Sequence, residues 1–468
     1  MWERFSYYGM RALLILFMTA PAASGGLGMD VASGAAVYGL YTSGVYMMCL
    51  PGGWMADRIL GKRRAVWYGG LLIASGHYAM AVPAIATFYL GLVLIVFGTG
   101  LLKPNISAIV GDLYESDDER RDSGFSIFYM GINLGAFIAP LVCGYVGQRV
   151  DWHMGFGMAG LGMTLGLIQY RLGARHLGNA GVHPAPAESE AAARRDRARA
   201  RWGIVVMLLI PVLLIAVSKL GLTSISATAL ADAFGVLLLV LVAGVFAGTL
   251  LFGAWTPLER KRLFIILVLF LAASLFWSVF EQAGSTLNLF AQRSTETRLL
   301  GMDFPSSWLQ SVNSLFLISL APVFAFLWIR LGSSDPSVTT KFVLGLVCAG
   351  FGFAVMWVAA NLSASGAKVS PMWLILTYFL HTAGELCLSP VGLSAMTKLA
   401  PARIVSLMMG VWFLATSVGN YAGSRMAGLY EALPLETLFG AIAIFAVGVG
   451  LLLGLFVRPI TRLAGGVR

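Results

Sequence analysis

What most constrains this sequence is the length of its apolar runs. Stretches of about 20 apolar residues, enough for one helix to cross a hydrocarbon core, recur along the whole chain. They fall near 3–24, 35–56, 65–84, 86–110, 124–147, 154–172, 203–219, 229–254, 263–290, 308–329, 342–361, 371–397, 404–426 and 436–457. In lipid a backbone must satisfy its own hydrogen bonds, so such segments are helices. Composition agrees: 58% of residues are hydrophobic and 12% charged, with a mean hydropathy of +0.81. Soluble chains are about 25% charged. An ordinary water-soluble enzyme and a disordered or collagen-like chain are excluded, and the expected class is an all-α membrane protein with fourteen spans.

The polar stretches between spans set the orientation. Residues 112–122 form a charged loop, and residues 173–201 form a basic segment ending in ESEAAARRDRARAR. Of the 32 Lys and Arg, 23 fall in or beside loops after even-numbered spans or in the C-terminal tail. Positive charge stays on the cytoplasmic side, so both termini are expected there. This placement accounts for the net charge of +10 and leaves no reason to invoke nucleic acid. The basic, apolar N-terminus has some features of a cleaved leader. Its aromatics Phe5, Tyr7 and Tyr8 and the even span count make it the first helix instead. Cys49, Cys143, Cys348 and Cys387 all sit inside apolar runs and read as small buried hydrophobes, not a disulfide frame or metal site.

A few ionisable residues lie within the spans: Glu3, Arg4, Arg11, Lys103, Glu281 and Glu385. A charge at mid-bilayer costs about 2.5–3.5 kcal/mol, so such groups line cavities and pair with one another. Three acids and three bases can neutralise each other. Arg4, Tyr8 and Arg11 share one face of the first helix, with Glu3 and Tyr7 beside it. Trp277, Glu281, Gly284 and Asn288 repeat at helical spacing and predict one polar stripe on the ninth. Tyr46, Asn133 and Asn313 add hydrogen-bonding groups from other helices. Between spans two and three, Gly53, Asp57, Arg58, Gly61, Arg63 and Arg64 punctuate a cytoplasmic loop, where the glycines allow a tight turn and Asp57 can meet a base or a helix N-terminus.

That loop, G-x-x-x-D-R-x-x-G-x-R-R, resembles the major facilitator superfamily. Within it the chain resembles the proton-dependent oligopeptide transporter (POT) family. Glu3-Arg4-Phe5-Ser6-Tyr7-Tyr8-Gly9 matches the family's first-helix motif, whose first glutamate falls before Met1. Gly98 to Ser107 with Gly111-Asp112-Leu113-Tyr114, and Phe128-Tyr129 through Ile132-Asn133 to Gly135, match its fourth and fifth helices. Phe276-Trp277 with Glu281-Gln282, Gly384-Glu385 with Ser389-Pro390, and Gly410-Val411-Trp412-Phe413 with Gly419-Asn420 follow in order. The resemblance implies two six-helix bundles, residues 1–172 and 263–468. Between them, 173–262 would hold the basic linker and two inserted helices. Such bundles rock about a midplane site.

It further implies a proton-coupled symporter importing di- and tripeptides, and the Ala/Gly/Arg-rich composition suggests a bacterial inner membrane. The molecule would be a monomer among lipids, with the proton as coupling ion and no other cofactor, metal or catalytic residue. Glu385 would hold the peptide ammonium, with Asn313 and Asn133 on the ammonium or the peptide backbone. Arg11 and Lys103 would hold the carboxylate, and Tyr7, Tyr8, Tyr46, Trp277 and Trp412 would wall the site. Glu3 with Arg4, and Glu281 with Lys103 or Arg11, are the candidate proton switches. A nitrate or organic-anion transporter on the same scaffold is the alternative. A hydrolase or ATPase lacks its motifs: there is no G-x-S-x-G, H-E-x-x-H or G-x-x-x-x-G-K-[ST], and none of the five histidines is at metal-ligand spacing.

Overall fold

The computed structural model describes residues 1–114, 120–184, 186, 189–219, 226–299 and 301–463. The middle of the charged 112–122 loop and parts of the basic segment 173–201 lie outside them. The first half contains α1 (Trp2–Thr19), α2 (Val31–Met47), α3 (Cys49–Met55), α4 (Lys62–Met80), α5 (Ile85–Asp112), α6 (Arg120–Arg149) and α7 (Trp152–Gly173). Two long helices follow, α8 (Glu190–Lys219) and α9 (Ala227–Phe252). The second half contains α10 (Pro257–Phe280), α11 (Thr286–Arg293), α12 (Ser311–Leu331), α13 (Val338–Ser363), α14 (Met372–Leu399), α15 (Val405–Ala427), α16 (Leu435–Leu455) and α17 (Val457–Leu463). Fourteen of these are long. Eight of the fourteen are apolar and long enough to cross a bilayer on those criteria alone. The face carrying Met1 and Leu463 is called basal below, and the opposite face apical.

Helix ends follow local chemistry. Asp30, Asp151, Ser226 and Ser337 cap α2, α7, α9 and α13 through side-chain oxygens that accept backbone N–H groups. Thr256 and Glu259 form a capping box around Pro257 at the start of α10. Within each bundle small residues let backbones approach, the usual glue where lipid is as apolar as leucine. A Cβ on Gly98 would sit 2.6 Å from the Gly69 carbonyl, and one on Gly91 would sit 2.5 Å from that of Gly76, so α4 and α5 touch at two levels.

Two expected spans are not single helices. The second divides at Met48 into α2 and α3, and α3 continues as a π-turn over Ala56–Leu60. Gly61, at φ +76°, then reverses the chain into α4. The ninth ends as an α-helix at Phe280, tightens to a 3₁₀ turn over Glu281–Gly284 and resumes as α11. The expected stripe Trp277–Glu281–Gly284–Asn288 is therefore broken. Asn288 instead donates to the Ala12 carbonyl at 2.9 Å, and Gly284 lies against Arg11. A two-residue ribbon, β1 (Arg298–Leu299) with β2 (Met302–Asp303), closes the turn that follows α11.

The basic linker straps the loop between α3 and α4. Arg63 donates from its backbone N–H to the Gly181 carbonyl at 2.9 Å and from its guanidinium to the Gly178 carbonyl at 2.7 Å. Lys62 pairs with Asp112 at the end of α5. Asp57, Arg58 and Arg64 are exposed. Gly53 only grazes Pro104, whereas its neighbour Gly52 packs hard on Gly100, where a Cβ would come within 2.1 Å of the carbonyl oxygen.

Candidate functional site

Between the bundles lies a cavity of about 210 Å³. From the first half, α1 contributes Arg4, Tyr8 and Arg11, α2 contributes Tyr46, α5 contributes Lys103 and α6 contributes Asn133. From the second, α10 and the turn after it give Trp277 and Glu281, α12 gives Asn313, α14 gives Glu385 and α15 gives Trp412. The i, i+4, i+7 spacing of α1 does place its three polar residues on one wall.

The two halves meet through a buried ion pair. Arg11 Nη2 lies 2.6 Å from Glu281 Oε2 and also donates to the Glu281 carbonyl at 3.0 Å. Its Nε donates to the Tyr38 hydroxyl at 2.8 Å. Tyr38 is a residue the sequence did not single out, because a lone tyrosine in an apolar helix carries no pattern. Gly284 makes room for this arrangement: a Cβ there would sit 2.0 Å from Tyr38 Oη and 2.5 Å from Arg11 Nε. Glu281 thus pairs with Arg11 and not with Lys103.

Lys103 is 6% exposed and, among the described residues, forms no ion pair. Its ammonium rests 3.5 Å from the centroid of the Tyr46 ring and 5.7 Å from that of Tyr7, so aromatic faces hold the charge. Across the cavity, Glu385 shares the wall with Asn313, which donates to Thr382 at 2.8 Å. Glu385 Oε2 is buried without a hydrogen-bond partner among the described residues. Two donors of lining residues, Trp277 Nε1 and Gln310 Nε2, are likewise buried and unpartnered among the described residues. Buried orphans of this kind cost about 1–3 kcal/mol each. The cavity is therefore suited to a polar occupant: cations on one wall and a carboxylate on the other.

Two expected wall and switch residues lie elsewhere. Tyr7, 2% exposed, stacks on Tyr41 behind the cavity. Glu3 is 3.4 Å from Arg4 and borders a separate basal recess with Met1 and Trp2, so only Arg4 of that pair reaches the central space. Asn133 donates to the Tyr129 carbonyl of its own helix at 2.9 Å. Gln310, Ser314, Phe280 and Phe413 also line the cavity. Phe413 belongs to the Gly410–Phe413 motif, whereas nothing in the spacing of Gln310, Ser314 and Phe280 marks them in the sequence.

The hydrogen bonds joining the bundles cluster in the apical half. Trp308 Nε1 donates to the Leu141 carbonyl at 3.0 Å and Ser311 Oγ to that of Phe137 at 2.8 Å. Gln148 bonds both Ser306 and Ser307, and Ser417 Oγ donates to the Ser43 carbonyl at 2.8 Å. The molecule is closed on its apical side of the cavity.

A family model described as the POT family matches residues 63–445. The chain belongs to the POT family. Members are transporters, not enzymes, and integral membrane proteins. The chain is 42% identical to the peptide transporter YePEPT of Yersinia enterocolitica, over 99% of this chain and 93% of that one. It is 37% identical to a di-/tripeptide transporter of Lactococcus lactis subsp. cremoris, over 100% of this chain and 95% of that one. A crystal structure of a POT peptide transporter with sulfate superposes at a TM-score of 0.92, with 42% identity over 99% of this chain and 93% of that chain. Another POT transporter, solved with 5-aminolevulinic acid, gives 0.91 at 36% identity over 98% of this chain and 94% of that chain. The major facilitator architecture, two six-helix bundles with α8 and α9 inserted between them, is that of this POT chain.

Proposed function

We propose that this POT chain imports di- and tripeptides by proton-coupled symport, with the basal face cytoplasmic and the membrane a bacterial plasma membrane. The observation that carries the substrate class is the opposed charge of the cavity. Lys103, with Arg11 once released, faces the peptide carboxylate, and Glu385 with Asn313 faces the ammonium. A ligand charged at both ends bridges the bundles, while Tyr8, Tyr46, Trp277 and Trp412 leave its side chains ungripped. The named substrates of the relatives support this reading.

Coupling follows from the Arg11–Glu281 pair. Its two residues stand on different bundles, so the pair holds those walls together on the apical side. Breaking a buried pair by leaving one charge unmatched costs about 3–5 kcal/mol. A proton taken up by the Glu281 carboxylate removes that charge, and Arg11 then turns to the peptide carboxylate. Release of peptide and proton to the basal side restores the pair. Glu3 and Arg4 form a second proton-responsive pair at the basal rim.

The test uses Glu281→Gln, which fixes the protonated charge state. Counterflow of labelled dipeptide in liposomes should persist, and uptake driven by a pH gradient should fail. Loss of both activities, with a lower melting temperature, would show the pair to be structural. Uptake driven equally by a sodium gradient at matched pH would overturn the proton assignment.

A further inference from the structure

The two seams between the bundles are built differently. One, between α6 and α12, carries the apical hydrogen bonds of Ser311 and Trp308, and α12 turns Leu315, Val323 and Phe326 outward. The other, between α2 and α15, is covered. From Val31 to Tyr46 only Ala32 is exposed, although α2 stands at the edge of its bundle.

The wheel of α2 shows what covers it. Gly34 and Tyr38 meet α1, Gly44 and Met48 meet α5, and Gly39 and Ser43 meet α15. The face left over, Ala36, Leu40 and Met47, looks outward between α5 and α15. Inserted helix α9 packs on α2, and Ala36 is 2% exposed.

How α9 is attached separates the two bundles. Although its backbone lies closest along α2, among the described residues its ion pair and its aromatic ring contacts go to the second half. Asp232 pairs with Arg425 at 2.8 Å, the Phe234 ring lies 6.2 Å from that of Tyr421, and Phe246 packs edge-on at 5.1 Å against Phe270. Just past its end, Trp255 lies under the Arg403 guanidinium at 3.9 Å. These contacts run from the apical to the basal end of the helix. Toward α2, the structure shows no hydrogen bond or ion pair from α9 among the described residues. Apolar contact is non-directional and can shift without breaking specific bonds.

We propose that α9 is a sliding seal. It is fixed to the C-terminal bundle and bears on α2, keeping lipid out of the α2–α15 seam while the bundles rock. The proposal rests on the transporter reading only for the motion; the covering of α2 stands without it.

Two measurements test it in a variant whose four cysteines are replaced and whose uptake is retained. Tethering α9 to α15, with Gly235→Cys and Tyr421→Cys joined by a short bifunctional thiol reagent, should leave uptake within twofold of the untethered protein. Loss of uptake on tethering would overturn the proposal. Separately, the photo-crosslinking amino acid benzoylphenylalanine at Leu40 should, on illumination, yield adducts within Ala227–Phe252 by peptide mass mapping. Uptake and counterflow should fall in step with adduct yield. Adducts to lipid would overturn the seal, and adducts to α9 with unchanged counterflow would overturn the sliding. If the protein carries no peptide at all before modification, the transporter reading fails instead, and the site of the Leu40 adducts still decides the seal.

Discussion

At the scale of single residues, the geometry around Arg11 makes the sharpest demands. Its guanidinium is oriented by Tyr38 and Glu281, and the space for both exists because position 284 has no side chain. Gly284→Ala should displace Arg11 and cut uptake at least tenfold, while a melting curve shows the fold intact. Uptake close to native would mean that Arg11 does not need its present orientation. Glu385→Gln should weaken binding of peptides with a free N-terminus by roughly 10- to 100-fold, since a charged hydrogen bond contributes about 1.5–3 kcal/mol. N-acetylated peptides should bind this variant as well as the native protein. Equal losses for both ligands would remove Glu385 as the ammonium partner.

At the scale of elements, caps and close helix contacts carry separable terms. The Ser33 N–H donates to the Asp30 carboxylate and holds its pKa below the ordinary carboxylate value. A depressed value means that this stabilisation is present above the unfolded pKa and disappears as pH falls through the folded one. Asp30→Ala should lower stability in detergent by about 1 kcal/mol at neutral pH, with the difference closing in acid. Asp30→Asn should keep the cap and lose most of the pH dependence. Gly52→Ala forces a Cβ onto the Gly100 carbonyl and should cost about 1–3 kcal/mol, read as a lower melting temperature.

These elements also show where the sequence is readable. Run length exposed the long helices, and multi-residue motifs such as Glu3 to Gly9 located the charged walls. The breaks at Met48 and Glu281 were hidden, because the apolar runs on either side of each join into one span-length stretch. The pattern pointed to Gly53, but the tight contact belongs to Gly52, since a loop motif says nothing of what packs behind it. Glu281 had two plausible basic partners in one dimension, and only the three-dimensional approach of α1 to the turn after α10 selects Arg11.

For the whole molecule, transport requires the apical junction to open. Gln148 on α6 bonds Ser306 at 3.0 Å across that junction. In a cysteine-free background, Gln148→Cys with Ser306→Cys should oxidise to a disulfide that stops both uptake and counterflow, with reductant restoring them. Persistent counterflow in the oxidised protein would place the moving boundary elsewhere.

The Arg11–Glu281 pair has a further bearing, on how the chain is made. Its partners are 270 residues apart. At roughly 5–20 residues per second, the first helix is in the bilayer for tens of seconds before Glu281 leaves the ribosome. Through that interval the newborn N-terminal bundle holds a guanidinium at mid-membrane depth, where an unmatched charge is costly. Tyr38 arrives within seconds, and its hydroxyl is the hydrogen-bond partner that the N-terminal bundle itself supplies to Arg11. The hydroxyl that orients Arg11 in the finished protein is thus within its own bundle, available before the second half is made.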